Sequence, residues 1–112
     1  MKKIEAYIRP EKLEDVKEAL NKQKVTGMSV TQTMGFGTQK GWKEIVRGTE
    51  VDYNFLHKIK LEIVAEDDPI SAIADSIVES AYTGEFGDGK IFVYDVQDAI
   101  RIRTKERGSA AI

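Results

Sequence analysis

The chain has 112 residues, 17 of them Lys or Arg against 19 Asp or Glu, for a net charge of -2. That size suits one domain, and so even a balance excludes a global field that draws the protein to nucleic acid or an anionic membrane, so any anion site must be local. The chain contains no cysteine, which excludes a disulfide framework and thiolate metal sites and fits a reducing compartment.

The opening "MKKIEAYI" alternates Ile4, Ala6 and Ile8 with Lys3, Glu5 and Tyr7, the pattern of a half-buried strand that Pro10 ends, not of a signal peptide. No run approaches the roughly 18 apolar residues of a membrane span, so a soluble, cytoplasmic protein is expected. Leu13, Val16, Ala19 and Leu20 recur at helical spacing, predicting an amphipathic helix from Glu11 to Lys24, with Gly27 beyond its end. Met28 to Phe36 alternates again. Then "GFGTQKGWKEIVRGTEVDYNFL" departs from any such pattern: a polar, glycine-punctuated excursion of about 18 residues, a length that in a compact domain is usually functional or disordered. Ile59, Leu61 and Ile63 alternate in a third strand. Asp67, Asp68 and Pro69 open a second helix, with Ile70, Ile73, Ala74, Ile77, Val78 and Ala81 as its apolar stripe. "TGEFGDG" turns into "KIFVYDV", a strand apolar on both faces.

Two successive βαβ units predict an α+β, ferredoxin-like fold, a four-stranded antiparallel sheet with both helices on one face, as a single domain over 1–112. Ile91 to Tyr94 offers apolar groups to both sides, so the uncovered face is expected to meet a partner subunit. Residues 96–112 are expected to run as an extended C-terminal segment.

Three stretches have the residue types that bind anions. Gly87, Asp88, Gly89 and Lys90 allow a nest of backbone donors with a point charge beside it, although a plain hairpin turn uses the same residues. Arg101 and Arg103 fall on one side of an extended segment, as a phosphate clamp or as a solvated edge. Gly35 and Gly37 permit close backbone approach to a ligand. There is no GxxxxGK[ST] or GxGxxG run, and no Ser or Cys triad. His57 reads as an edge histidine, and Asp67 with Asp68 as dipole partners of the helix, not as a metal pair.

With these pieces in order, the chain resembles the PII nitrogen-regulatory signal-transduction family over essentially its whole length. "MKKIEAYIRPEKLEDVKEAL", "TGMSVT", "GFGTQKG", "RGTE", "FLHKIKLEIV" and "IRIRT" fall in the family's order, and "TGEFGDGKIFV" fits its second signature. The resemblance implies a non-enzymatic homotrimer with a nucleotide site in each intersubunit cleft and a T-loop over about residues 37–55. ATP and ADP would compete for that cleft, and 2-oxoglutarate would bind beside ATP through Mg2+. By position, Gly27, Met28 and Ser29 would line the base pocket with Val64. Gly37, Thr38 and Gln39 would approach the nucleotide from the root of the loop, while Gly87, Gly89, Lys90, Arg101 and Arg103 would hold phosphates, partly from the neighbouring subunit. Gln39 would ligate Mg2+ and Lys58 would pair with a 2-oxoglutarate carboxylate.

The loop would bind target proteins, an ammonium transporter among them, with Arg47 near its tip and Trp42 as an aromatic anchor. The sequence departs from the family at Val51, where a nucleotidylated tyrosine is common. That leaves Tyr53 and Thr49 as the candidate modification sites of the loop. Thr38 stands where arginine is frequent and His57 where proline is, which puts effector affinity in doubt. The alternatives are a PII-like regulator of another transporter or enzyme with a weak 2-oxoglutarate response, and a slow nucleotide phosphohydrolase.

Overall fold

The fold is described from a computed structural model, which covers residues 1–25, 27–36, 44–46, 49–51 and 55–112, with backbone alone at 35–36, 44–46, 49–51 and 55–56. Strand β1 (Lys2–Ile8) leads through a 3-10 turn to helix α1 (Leu13–Lys22) and then to β2 (Ser29–Phe36). A short antiparallel hairpin, β3 (Glu44–Val46) with β4 (Thr49–Val51), lies inside the glycine-punctuated excursion. Strand β5 (Phe55–Ala65), helix α2 (Asp67–Ala81) and β6 (Lys90–Asp95) complete the domain. The main sheet has the order β2-β5-β1-β6 with every pairing antiparallel, so the α+β ferredoxin-like expectation holds.

The core lies between one face of this sheet and the helices. Ile4, Ala6 and Ile8 of β1 and Ile59, Leu61 and Ile63 of β5 are buried there against Val16 and Leu20 of α1 and Ile70, Ile73, Ile77 and Ala81 of α2. Each large aliphatic side chain so buried stabilises the fold by about 1.5–3 kcal/mol relative to exposure. The alternate positions face the other way. Lys3, Glu5, Tyr7, Lys60, Glu62, Phe92 and Tyr94 share the uncovered face, where Lys3 Nζ lies 2.6 Å from Glu62 and 3.6 Å from Glu5, and the Tyr7 and Phe92 rings meet edge-on at 6.3 Å. That face is a lattice of ion pairs with aromatic inserts. On β6, Phe92 and Tyr94 are each 44% exposed, as expected of an apolar strand on an edge of the sheet with a layer on one side only.

Two element boundaries differ from the sequence expectation. The first helix begins at Leu13, because Pro10–Lys12 forms a separate 3-10 turn closed by Lys12 N–H on Arg9 O. It ends in a Schellman motif: Lys24 takes a left-handed φ of 60°, Lys24 N–H donates to Asn21 O, Val25 N–H donates to Leu20 O, and Val25 packs on the core. The left-handed cap is thus a lysine, three residues before Gly27.

The C-terminal segment is not extended. Ile100 pairs with Arg107 across a tight loop in which Lys105 N–H donates to Arg101 O at 2.7 Å, and Gly108–Ala111 then forms a 3-10 turn. The Asp98–Arg107 ion pair at 2.8 Å and the Gly108 N–H bond to Ala99 O close that loop, which overrides the Arg-x-Arg alternation.

Candidate functional site

The predicted residues gather at two places. Gly27, Met28, Ser29 and Val64 line one cavity of about 680 Å³ together with Glu62 and Ile112. Its floor follows from register: Ser29 opens β2 directly opposite Glu62 of β5, and Val64 follows on the same face, 39% exposed. An apolar wall with polar groups at its rim suits a flat, partly hydrophobic ligand. The C-terminal segment returns to this end of the sheet, since Val96 N–H donates to Met1 O and Ile112 lines the cavity, but Arg101 and Arg103, in the loop between, are not among its lining. Arg101 Nη1 is 3.5 Å from Glu106, with about two fifths of the arginine side chain exposed.

The second place is the turn between α2 and β6. Gly87 and Gly89 have φ of 98° and 101°, and a Cβ built on Gly89 would stand 1.7 Å from the carbonyl oxygen of Tyr7. The turn therefore lies flat on the end of β1. Lys58, opposite Thr33 on β5, sends its Nζ to the carbonyl oxygen of Gly87. Burial pushes the Lys58 ammonium below the ordinary lysine value, Arg9 adds to that, and Asp88 and Glu11 oppose it. Lys90 begins β6, exposed and opposite Tyr7.

Asp88 is placed differently from its neighbours. Its carboxylate accepts from Thr83 N–H and Gly84 N–H at 2.9 Å each, from the Thr83 hydroxyl, and from Arg9 Nε at 2.9 Å. It is turned into its own loop. Gly37, Thr38, Gln39, Trp42, Arg47 and Tyr53 lie outside the described residues, Gly35 is described as β2 backbone opposite Leu56, and Thr49 as β4 backbone opposite Val46.

The two places stand at opposite ends of β5. Lys58 and Val64 are about 20 Å apart along an extended strand.

Comparison with known proteins decides the family. Residues 1–106 match the sequence profile described as Nitrogen regulatory protein P-II. Nitrogen regulatory protein P-II 1 of Escherichia coli (strain K12) is 54% identical over 112 residues, covering 100% of both chains. The proteins named Nitrogen regulatory protein P-II in Klebsiella oxytoca and in Pasteurella multocida (strain Pm70) are 54% identical over the same span. The chain belongs to the P-II family.

As a P-II family member it is a signal-transduction regulator of nitrogen metabolism that acts on target proteins. Among the described residues no helix is long and apolar enough to cross a membrane. Within this P-II chain, sequence reasoning missed Arg9 and Thr83. Arg9 follows β1 and reaches across 79 positions to Asp88 by Nε, while its Nη2 donates to Phe86 O at 2.7 Å. Only the Thr83-to-Asp88 spacing, a hydroxyl five positions before a carboxylate in a glycine-rich turn, was there to be read.

Asp88 supplies a pH prediction. The Thr83 hydroxyl and amide, with Arg9 and the Gly84 amide, hold its carboxyl well below the usual carboxylate value of 3.8. A depressed folded-state value means that the unfolded chain binds the proton first as pH falls, so the contribution is full above 3.8 and lost below it. Wild type should out-melt Asp88→Asn by a constant margin from neutral pH down to about 4, with the margin narrowing only under stronger acid.

Proposed function

We propose that this P-II protein senses ATP, ADP and 2-oxoglutarate without acting as an enzyme, and that it works as a cytoplasmic homotrimer. One protomer offers the cavity of Gly27, Met28, Ser29 and Val64, with Arg101 and Arg103. Its neighbour offers Gly87, Gly89, Lys90, Lys58 and the loop root at Gly37, Thr38 and Gln39. The observation that supports this reading is the separation of the two places along β5, about 20 Å between Lys58 and Val64, which favours a nucleotide shared between the cavity of one protomer and the glycine turn of its neighbour. Gln39 would offer its amide oxygen to a Mg2+ carried by the nucleotide, whose preference for a hard oxygen shell would link the keto acid to ATP and not to ADP. Ligand state then sets the T-loop, residues 37–55, which presents Trp42 and Arg47 to a target such as an ammonium transporter.

Calorimetry tests this. Wild type should bind ATP with Mg2+, bind 2-oxoglutarate only when both are present, and lose 2-oxoglutarate when ADP replaces ATP. Lys58→Ala should weaken 2-oxoglutarate binding by at least about a hundredfold, as expected for loss of a sheltered charge pair, and weaken ATP by a much smaller factor through loss of its bond to the Gly87 carbonyl. ATP binding that ignores 2-oxoglutarate would favour a regulator with a weak keto-acid response, and turnover above about 1 per second would favour an enzyme.

A further inference from the structure

The turn before β6 is held by side chains with no assigned role. Four donors converge on the Asp88 carboxylate: Arg9 Nε and the Thr83 hydroxyl on Oδ1, and the amides of Thr83 and Gly84 on Oδ2. An ionised carboxylate has about four lone-pair positions, and all are taken. Asp88 therefore has no oxygen left for a cation, and as an acceptor it has nothing to offer a phosphate. What it does is join three parts of the chain: the end of β1 through Arg9, the exit of α2 through Thr83 and Gly84, and the glycine turn itself. Arg9 fastens the turn twice, since its Nη2 also holds Phe86 O at 2.7 Å. Both partners of the pair are sheltered, with about a quarter of each side chain exposed. On the opposite side, the Gly89 Cα rests on the Tyr7 carbonyl, leaving no room for even a methyl group.

From this geometry we infer that Arg9, Asp88 and Thr83 form a clasp that fixes the backbone of Gly87 to Lys90 for phosphate, with Asp88 a positioning residue and not a ligand of the nucleotide. The inference rests on the nucleotide reading above and adds to it which groups prepare its phosphate half. A pre-ordered turn binds without the cost of ordering glycines on ligand arrival, so loosening the clasp weakens the phosphate end and leaves the base end alone.

The test compares wild type, Asp88→Asn, Thr83→Val, Arg9→Gln and the double variant Arg9→Gln/Asp88→Asn, each first shown to be folded by a cooperative melt. ATP with Mg2+ is titrated by calorimetry, and amide hydrogen exchange is then read at saturation. Asp88→Asn should bind ATP at least about tenfold more weakly, as expected for loss of charge-assisted acceptors. Its amides at Gly87 to Lys90 should gain less protection than wild type on binding, while those of Met28 and Ser29 gain as much. Arg9→Gln should weaken ATP in the wild-type background and weaken it by a smaller factor in Asp88→Asn, where only its bond to Phe86 O remains to be lost. Should Asp88→Asn fail to fold, Thr83→Val, which removes one hydroxyl, gives the same comparison. Folded variants with wild-type affinity and a wild-type exchange pattern would overturn the clasp alone. A wild type that binds no ATP would overturn the nucleotide reading itself, and the clasp with it.

Discussion

Replacing Gly89 with alanine should destabilise the domain by about 3 kcal/mol or more and abolish nucleotide binding in whatever fraction remains folded. Two independent costs add. The residue sits at φ 101°, a conformation that costs an L side chain about 1–3 kcal/mol, and the new methyl carbon would lie 1.7 Å from the Tyr7 carbonyl oxygen. That oxygen is backbone at the end of β1, a strand paired on both sides, so it cannot rotate aside. Relief requires β6 to lift off β1, which breaks the Tyr7–Lys90 end of their register and moves the turn that Asp88 and Lys58 hold. Gly27→Ala is the control: nothing lies within 4 Å of a Cβ there, and the stability change should stay within about 0.5 kcal/mol. Denaturant midpoints at one fixed protein concentration measure both. A Gly89→Ala midpoint close to wild type would contradict the packing of this turn.

Leu61→Ala should cost about 2–5 kcal/mol, a large part of the roughly 5–15 kcal/mol that a domain of this kind has. Leu61 is fully buried at the centre of β5, opposite Ala6 on one side and Val30 on the other, and both helices roof that face of the sheet. Its neighbour Ala6 is too small to fill the space. Val64→Ala, on the same strand but 39% exposed, should cost under about 1 kcal/mol and instead weaken adenine binding. Equilibrium urea unfolding with an unchanged m-value separates loss of packing from loss of cooperativity.

The architecture was legible because its pattern is local. Alternation in "KKIEAYI" and "KIKLEI" and the unbroken stripe from Ile70 to Ala81 each specify one element and the face it buries, and helix α2 begins at Asp67 as its acidic first turn predicts. Its N-cap, Glu66, makes no side-chain bond, so the carboxylates act on the helix dipole. Illegible features were those set by distant partners. Arg9 looks like any residue before a proline until Asp88 arrives 79 positions later. Arg101 and Arg103 alternate equally well in a strand and in the loop they occupy, and the pairing of Ile100 with Arg107 decides between the two. The β3–β4 hairpin lies in a stretch whose polar composition predicts only a connection, because three-residue strands are too short to show a period. At the candidate site, sequence and resemblance named Lys58, Gly87 and Gly89, but not that the Lys58 ammonium meets the Gly87 carbonyl.

The sheet order also governs how the protein is made. Strand β1 precedes the other described elements, yet both of its partners, β5 at Phe55–Ala65 and β6 at Lys90–Asp95, are translated much later. At about 5–20 residues per second, Ile4, Ala6 and Ile8 wait several seconds with no sheet to join. During that interval only the elements translated before β5, helix α1 among them, are there to shelter these side chains, and the cover that α2 gives them comes later still.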